Sequence, residues 1–271
     1  SYASTLVNNM AETELYKKIS ELTNTDIKFI HPPQGQAAEK FNILIASDEL
    51  PDIIQYNWQN YPGGPQKAIN DKVIIDINEY KDSAKNINAY FADHDEVRRM
   101  STTDSGALFA FPCIRGADEL EVTTGLIIRQ DWLDELGLSM PETPQEWENV
   151  LIAFRDKKGA KAPLSISLSN MRASHLFAGA FGVGFGYYID DGKIKYVMLE
   201  PGFKDFLTLM NRWYNEGLLD ADFSTLDAKM IDSNILNGMS GAIAGALGSG
   251  IGRYMSSAPD GSFELAGAPF P

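Results

Sequence analysis

The chain has 271 residues, 44% of them hydrophobic and 22% charged, the proportions of a globular protein that fits one large domain or two of ordinary size. Thirty-seven acidic residues against twenty-three basic ones leave a formal net charge of −14. Such a surface repels phosphate backbones and disfavours nucleic acid as a partner. No run approaches the roughly 18 apolar residues of a membrane span, and the chain opens with neither a basic region nor the apolar core of a leader, so the expectation is a soluble protein or the mature piece of an exported one.

In chain order, residues 3–22 place Leu6, Met10, Leu15, Ile19 and Leu22 near one helical face, and residues 26–31 alternate as a strand does. Residues 35–47 predict a second helix. After the interruption at Pro51, the residues Asp52, Ile53 and Ile54 predict the start of a buried strand. Residues 63–80 read as a turn, a short helix and a connecting segment, followed by a strand-like run over 107–114 that Pro112 interrupts. Residues 125–129 form an apolar run, and residues 131–136 make two helical turns that Gly137 stops in a left-handed cap. Thr143, Pro144 and Glu146 then predict a capping box with proline at the first helical position. Trp147, Val150, Leu151 and Phe154 make the buried face behind it, and Gly159 ends the helix. A small strand at 162–169, a glycine- and aromatic-rich region at 179–188 and the segment 191–198 follow. In the helix that starts at Pro201, the residues Phe203, Phe206, Leu207, Met210, Trp213 and Tyr214 fall on one apolar stripe assigned to the core. Helices alternating with short apolar strands predict an α/β fold.

Motifs for chemistry are sparse. Gly182, Gly184 and Gly186, and again Gly248, Gly250 and Gly252, have GxGxG spacing, without the strand, helix and acidic residue of a dinucleotide site. They read as positions where the backbone turns tightly or packs closely. Asp220 and Asp222 begin a calcium-like loop that lacks the glycine and glutamate such a loop needs. His94 reads as a surface helix start, and His31 and His175 stand far off in sequence with no ligand spacing, so no metal is expected. The lone Cys113 forms no internal disulfide and reads as a small buried hydrophobe. No nucleophile elbow is present, and the carboxylates Glu119, Glu121, Asp131 and Asp134 are explained by capping and helix dipoles. The reading is therefore no enzyme, no catalytic residue and no cofactor. What stands out is Tyr56, Asn57, Trp58 and Tyr61 in a loop just after a predicted strand, where open α/β sheets bind ligands.

Six segments in order carry a resemblance. They are Leu50 to Ile54; Phe109 to Pro112; Gly125 to Leu133 running on to Gly137 and Leu138; Pro141 to Pro144 with Trp147; Trp213 to Leu219; and Asn237 to Ala242. Together they resemble the extracellular solute-binding proteins of bacterial ABC importers, in the sugar-binding group that includes maltose-binding protein and lipoproteins of Gram-positive bacteria. The resemblance implies a periplasmic-binding-protein-like fold of two α/β lobes, residues 1–112 and 113–271, that close on a ligand by hinge motion. It implies an extracellular protein, a cell-surface lipoprotein or periplasmic, that captures an oligosaccharide and hands it to an ABC transporter permease. Membrane attachment would come only through a lipid anchor absent from this chain. Carried across by position, the ligand-binding residues would be Tyr56, Asn57 and Trp58 in the first lobe and Arg129, Asn170, Arg172, Ser249, Arg253 and Tyr254 in the second. The alternatives are a glycan-processing enzyme, or the same fold binding a peptide or another small solute. The chain departs from the pattern by beginning in the first helix without a leading strand and ending before the segments that return to the first lobe, which implies a fragment.

Overall fold

A computed structural model of the chain describes residues 7–33, 36–116, 122–258, 261 and 263–271. Two compact units emerge, Ser1–Ile114 and Arg115–Pro271. Glu119 and Glu121 lie outside the described residues.

In the first unit, α1 (Glu14–Thr23) begins later than the apolar spacing predicts, because two polar side chains divide the run. Asn9 caps a 3₁₀ turn at Met10–Glu12, and Thr13 accepts from the Tyr16 N–H at the start of α1. Then come α2 (Ala37–Ser47), α3 (Gly64–Asn70), α4 (Lys85–Asp93) and α5 (Asp95–Met100). The strands expected at 26–31 and after Pro51 do not form: these segments run without a ladder among the described residues, and Ile53 is 87% exposed instead of buried. An alternating pattern identifies a face, but a strand also needs a neighbour to take its N–H and C=O groups. The unit's core is small, with Phe41, Trp58, Tyr61 and Ala68 at its centre and Ile45, Ile54, Tyr56 and Phe109 packed against them. Cys113, expected to be buried, is exposed.

The second unit holds the α/β alternation. Its elements are β1 (Gly125–Arg129), α6 (Gln130–Leu136), α7 (Pro144–Lys158), β2 (Leu164–Ser165), α8 (Leu168–Ala173), β3 (Tyr187–Asp190), β4 (Lys193–Tyr196), α9 (Pro201–Asn215), α10 (Ala228–Leu236), β5 (Ala242–Gly245), α11 (Arg253–Ser257) and β6 (Leu265–Ala268). A four-stranded sheet runs β2-β5-β1-β6, with β2 parallel to β5 and β1 antiparallel to both its neighbours; Ile127 faces Ile243 on one side and Gly267 on the other. Strands β3 and β4 make a separate hairpin.

β1 is central because both its faces are apolar. Leu126 and Ile128 enter the larger core with Trp147, Phe154, Phe177, Phe206 and Trp213, while Ile127 enters a second core with Ile231, Ile235, Ile243 and Phe263. Gly137 ends α6 at φ +63°, and the capping box on α7 is complete: Thr143 accepts from the Glu146 N–H, and Glu146 accepts from the Thr143 N–H. The Glu142 and Thr143 backbone N–H groups, both donating to Glu146 Oε2, hold its carboxyl below its ordinary value. On α9 the buried face is Phe203, Phe206, Leu209, Met210 and Trp213, whereas Leu207 and Tyr214, expected in the stripe, are exposed. At 100° per residue they lie roughly 80–120° round the helix from the Phe206 and Trp213 directions.

Candidate functional site

The first unit's loop follows residues 52–56. Asn57 caps the 3₁₀ turn Trp58–Asn60 by accepting from the Gln59 N–H at 3.2 Å. Its side chain stays exposed. Tyr56 is half-buried and stacks on Phe41, with ring centroids 3.6 Å apart and planes 4° off parallel. Trp58 is 5% exposed and meets both rings edge-on, so the loop is fastened to the unit's core by its tryptophan while its asparagine faces solvent.

At the end of β1, Arg129 is 8% exposed. Its guanidinium lies between the Trp132 ring at 4.5 Å and the Phe263 ring at 4.3 Å, and Nε donates to Asp131 Oδ1 at 2.7 Å. All of the cation's strong interactions are internal, a geometry that suits the planar guanidinium and ties β1 to the start of α6.

Past β2, Ser167 caps α8 and its hydroxyl also donates to Asn170 Oδ1 at 2.7 Å. Among the described residues the Asn170 side-chain NH2 and the exposed Arg172 guanidinium have no protein partner. The chain then turns sharply, with His175 at φ +52° and Phe177 at φ +60°, before the glycine loop. Gly182 and Gly186 take left-handed conformations there, and Gly184 leaves room for the His175 ring, whose Nδ1 would lie 2.9 Å from a Cβ at that position.

The second glycine cluster follows β5 as a π-helical turn, Leu247–Gly252, leading into α11. A Cβ at Gly250 would come within 2.9 Å of Ile127 Cδ1, and one at Gly245 within 2.7 Å, so these glycines allow the turn to lie on β1. Ser249 is exposed on the turn, and its carbonyl accepts from Arg253 Nε at 2.9 Å. Arg253 forms a bidentate pair with Asp232 of α10, both bonds 2.7 Å, and the buried Tyr254 donates its hydroxyl to the same carboxylate at 2.6 Å. Arg253 holds the Asp232 carboxyl below its ordinary value, and burial, reinforced by Asp232, raises the Tyr254 phenol.

The structure therefore gathers Tyr56, Asn57 and Trp58 in one loop, Asn170 and Arg172 on one short helix, and Ser249, Arg253 and Tyr254 on one turn. Sequence reasoning did not single out Asp232, which stands 21 residues before Arg253, or give a role to His175. A lone aspartate or histidine carries no spacing signal, and only the partners reveal either. Among the described residues no group of three or more His, Cys, Asp or Glu is placed to hold a metal ion, and no helix is long and apolar enough to cross a membrane.

The fold is similar to that of solved substrate-binding proteins of ABC transporters. The structure of an EF-hand mutant of FusA from S. pneumoniae in complex with fructo-nystose matches with a TM-score of 0.72 and 23% identity, over 99% of this chain and 56% of that one. No family model matches the chain. In sequence it is 26% identical over 261 residues to Lipoprotein LipO of Bacillus subtilis (strain 168), an alignment that covers 92% of this chain and 50% of LipO. It is 27% identical over 214 residues to the fructooligosaccharide ABC transporter substrate-binding protein FusA of Streptococcus pneumoniae serotype 4, covering 70% of this chain and 38% of FusA. The chain thus spans half or less of the length of these curated relatives. The names of these relatives, a lipoprotein and a substrate-binding protein of an ABC transporter, agree with the resemblance read from the sequence.

Proposed function

We propose that the protein to which this chain belongs is the exported binding component of an ABC importer, one that captures an oligosaccharide outside the cell and delivers it to a permease without altering it. The alignment with FusA, a fructooligosaccharide-binding protein, over 70% of the chain carries this reading. Its lipoprotein relative LipO favours a cell-surface location. Of the nine candidate residues, Tyr56, Asn57, Asn170, Arg172 and Ser249 have exposed or half-buried side chains suited to stacking on a sugar or meeting its hydroxyls. Trp58, Arg129, Arg253 and Tyr254, whose rings and charges are already engaged within their own unit, are proposed to hold those loops in place.

Calorimetric titration of the protein against a panel of oligosaccharides that includes kestose tests the reading, beside an assay for new reducing ends. Binding of at least one glycan without turnover is expected. Turnover would favour a glycan-processing enzyme, and binding of peptides alone would move the same fold to another solute.

A further inference from the structure

The turn after α8 contains a feature that core packing does not require. His175 sits on the exposed surface, yet its ring is held in one orientation. The Phe185 N–H donates to His175 Nδ1 at 3.0 Å, and the imidazole stacks over the Phe185 ring at 6.2 Å with the planes 17° apart. Phe185 is anchored in turn, edge-on to Phe203 and Phe206 at 5.9 Å and 5.7 Å. An imidazole nitrogen that accepts a backbone N–H carries no proton, so in the neutral ring the proton is on Nε2. Nε2 has no partner among the described residues.

The backbone beneath is costly. A bulky side chain in the left-handed region is an outlier, and Phe177 adopts φ +60° two residues after His175 at φ +52°. Phe177 keeps that conformation because its ring is buried edge-on between Trp147 and Trp213, at 5.4 Å and 5.0 Å. The core thus locks the turn from within while Gly184 and Phe185 lock the imidazole from outside. Backbone strain held by over-determined packing marks sites where a side chain must be presented in one pose.

We propose that His175 is a ligand-contacting residue, whose fixed Nε2–H donates to a hydroxyl or ring oxygen of the bound carbohydrate. The assignment rests on the carbohydrate-binding reading above. It adds a neutral, directional donor five residues after Asn170 and three after Arg172, and sugar oxygens accept such donors without needing a charge.

The discriminating variant is His175→Asn. Asparagine tolerates the left-handed backbone and supplies an acceptor for the Phe185 N–H, but it has no donor at the Nε2 position. Against whichever panel glycan the wild type binds, calorimetry should give a Kd weakened by about three- to tenfold, the scale of one lost hydrogen bond, with the melting temperature unchanged. An unchanged Kd in His175→Asn would overturn the assignment while leaving the proposed function intact. Long-range 1H–15N spectra of the unliganded protein should show the Nε2-protonated tautomer, and an Nδ1-protonated ring would overturn it without any ligand. A wild type that binds no glycan in the panel would overturn the proposed function and this assignment with it.

Discussion

Trp58 shows how a residue's type and its neighbours can point in different directions. An aromatic in a polar loop after a strand-like run invites a stacking role, but its ring meets Phe41, Tyr56 and Tyr61 and is 5% exposed. Truncating a packed aromatic costs about 3–5 kcal/mol. Trp58→Ala should therefore shift the urea unfolding of the first unit by about that amount, and a loss of affinity without loss of stability would return the ring to the ligand. Asp232 makes the corresponding case for a charge. Its folded value is depressed by Arg253, so the stability it contributes is fully present above its unfolded value and is lost as the pH falls through the lower folded one. Urea midpoints should decline on acidification below about pH 5, and Asp232→Asn should lie lower at neutral pH with a shallower acid slope. A variant with the wild-type profile would show that the pair with Arg253 and Tyr254 is not maintained in solution.

Elements were legible where the signal was local. The capping box on α7, the left-handed glycine after α6 and the apolar run of β1 depend on residues within a few positions of one another, and the structure has all three. The α9 stripe was legible in period but not in phase, because the spacing of apolar residues does not say which edge of the stripe meets the core. The glycines also divide by neighbour. A Cβ at Gly241, just before β5, would overlap the buried Phe154 ring, while one at Gly248 on the π-helical turn would meet nothing within 4 Å. Gly241→Ala should cost about 1–3 kcal/mol as an overpacking change, and Gly248→Ala should be close to neutral. Thermal melts of the two variants check the contrast, and equal melting temperatures would refute it.

At the scale of the whole chain, stability is unevenly distributed. Among the described residues, the second unit buries two cores on either side of β1, whereas the first has one small cluster, and the N–H groups of residues 26–30 and 52–56 find no backbone acceptor. Hydrogen exchange should therefore be slowest for Ile127, Ile128 and Ile243, and fast over 26–30 and 52–56. Protection of those two segments to the level of β1 would mean that they are paired in solution. The candidate site was legible only as a set of loops. The positions of Tyr56 to Trp58, Asn170, Arg172 and 249–254 followed from the resemblance, but whether a side chain faced solvent or was fastened inward did not.

From the sequence alone came the α/β class, the importer-type resemblance, and several elements whose cause lies within one turn or one strand: the α7 capping box, the glycine stops after α6 and α7, and the period of the α9 face. Propensity, capping and alternation act over a few residues, so they survive in a linear string. Tertiary structure decided that Arg129 is sandwiched between Trp132 and Phe263, that Asp232 clamps Arg253 and Tyr254, that Phe177 is held at positive φ, and that 52–56 has no partner strand among the described residues. Each of these depends on a contact between residues far apart in the chain or on the absence of one. Burial and pairing are properties of what the fold brings alongside a residue, and no local pattern encodes them.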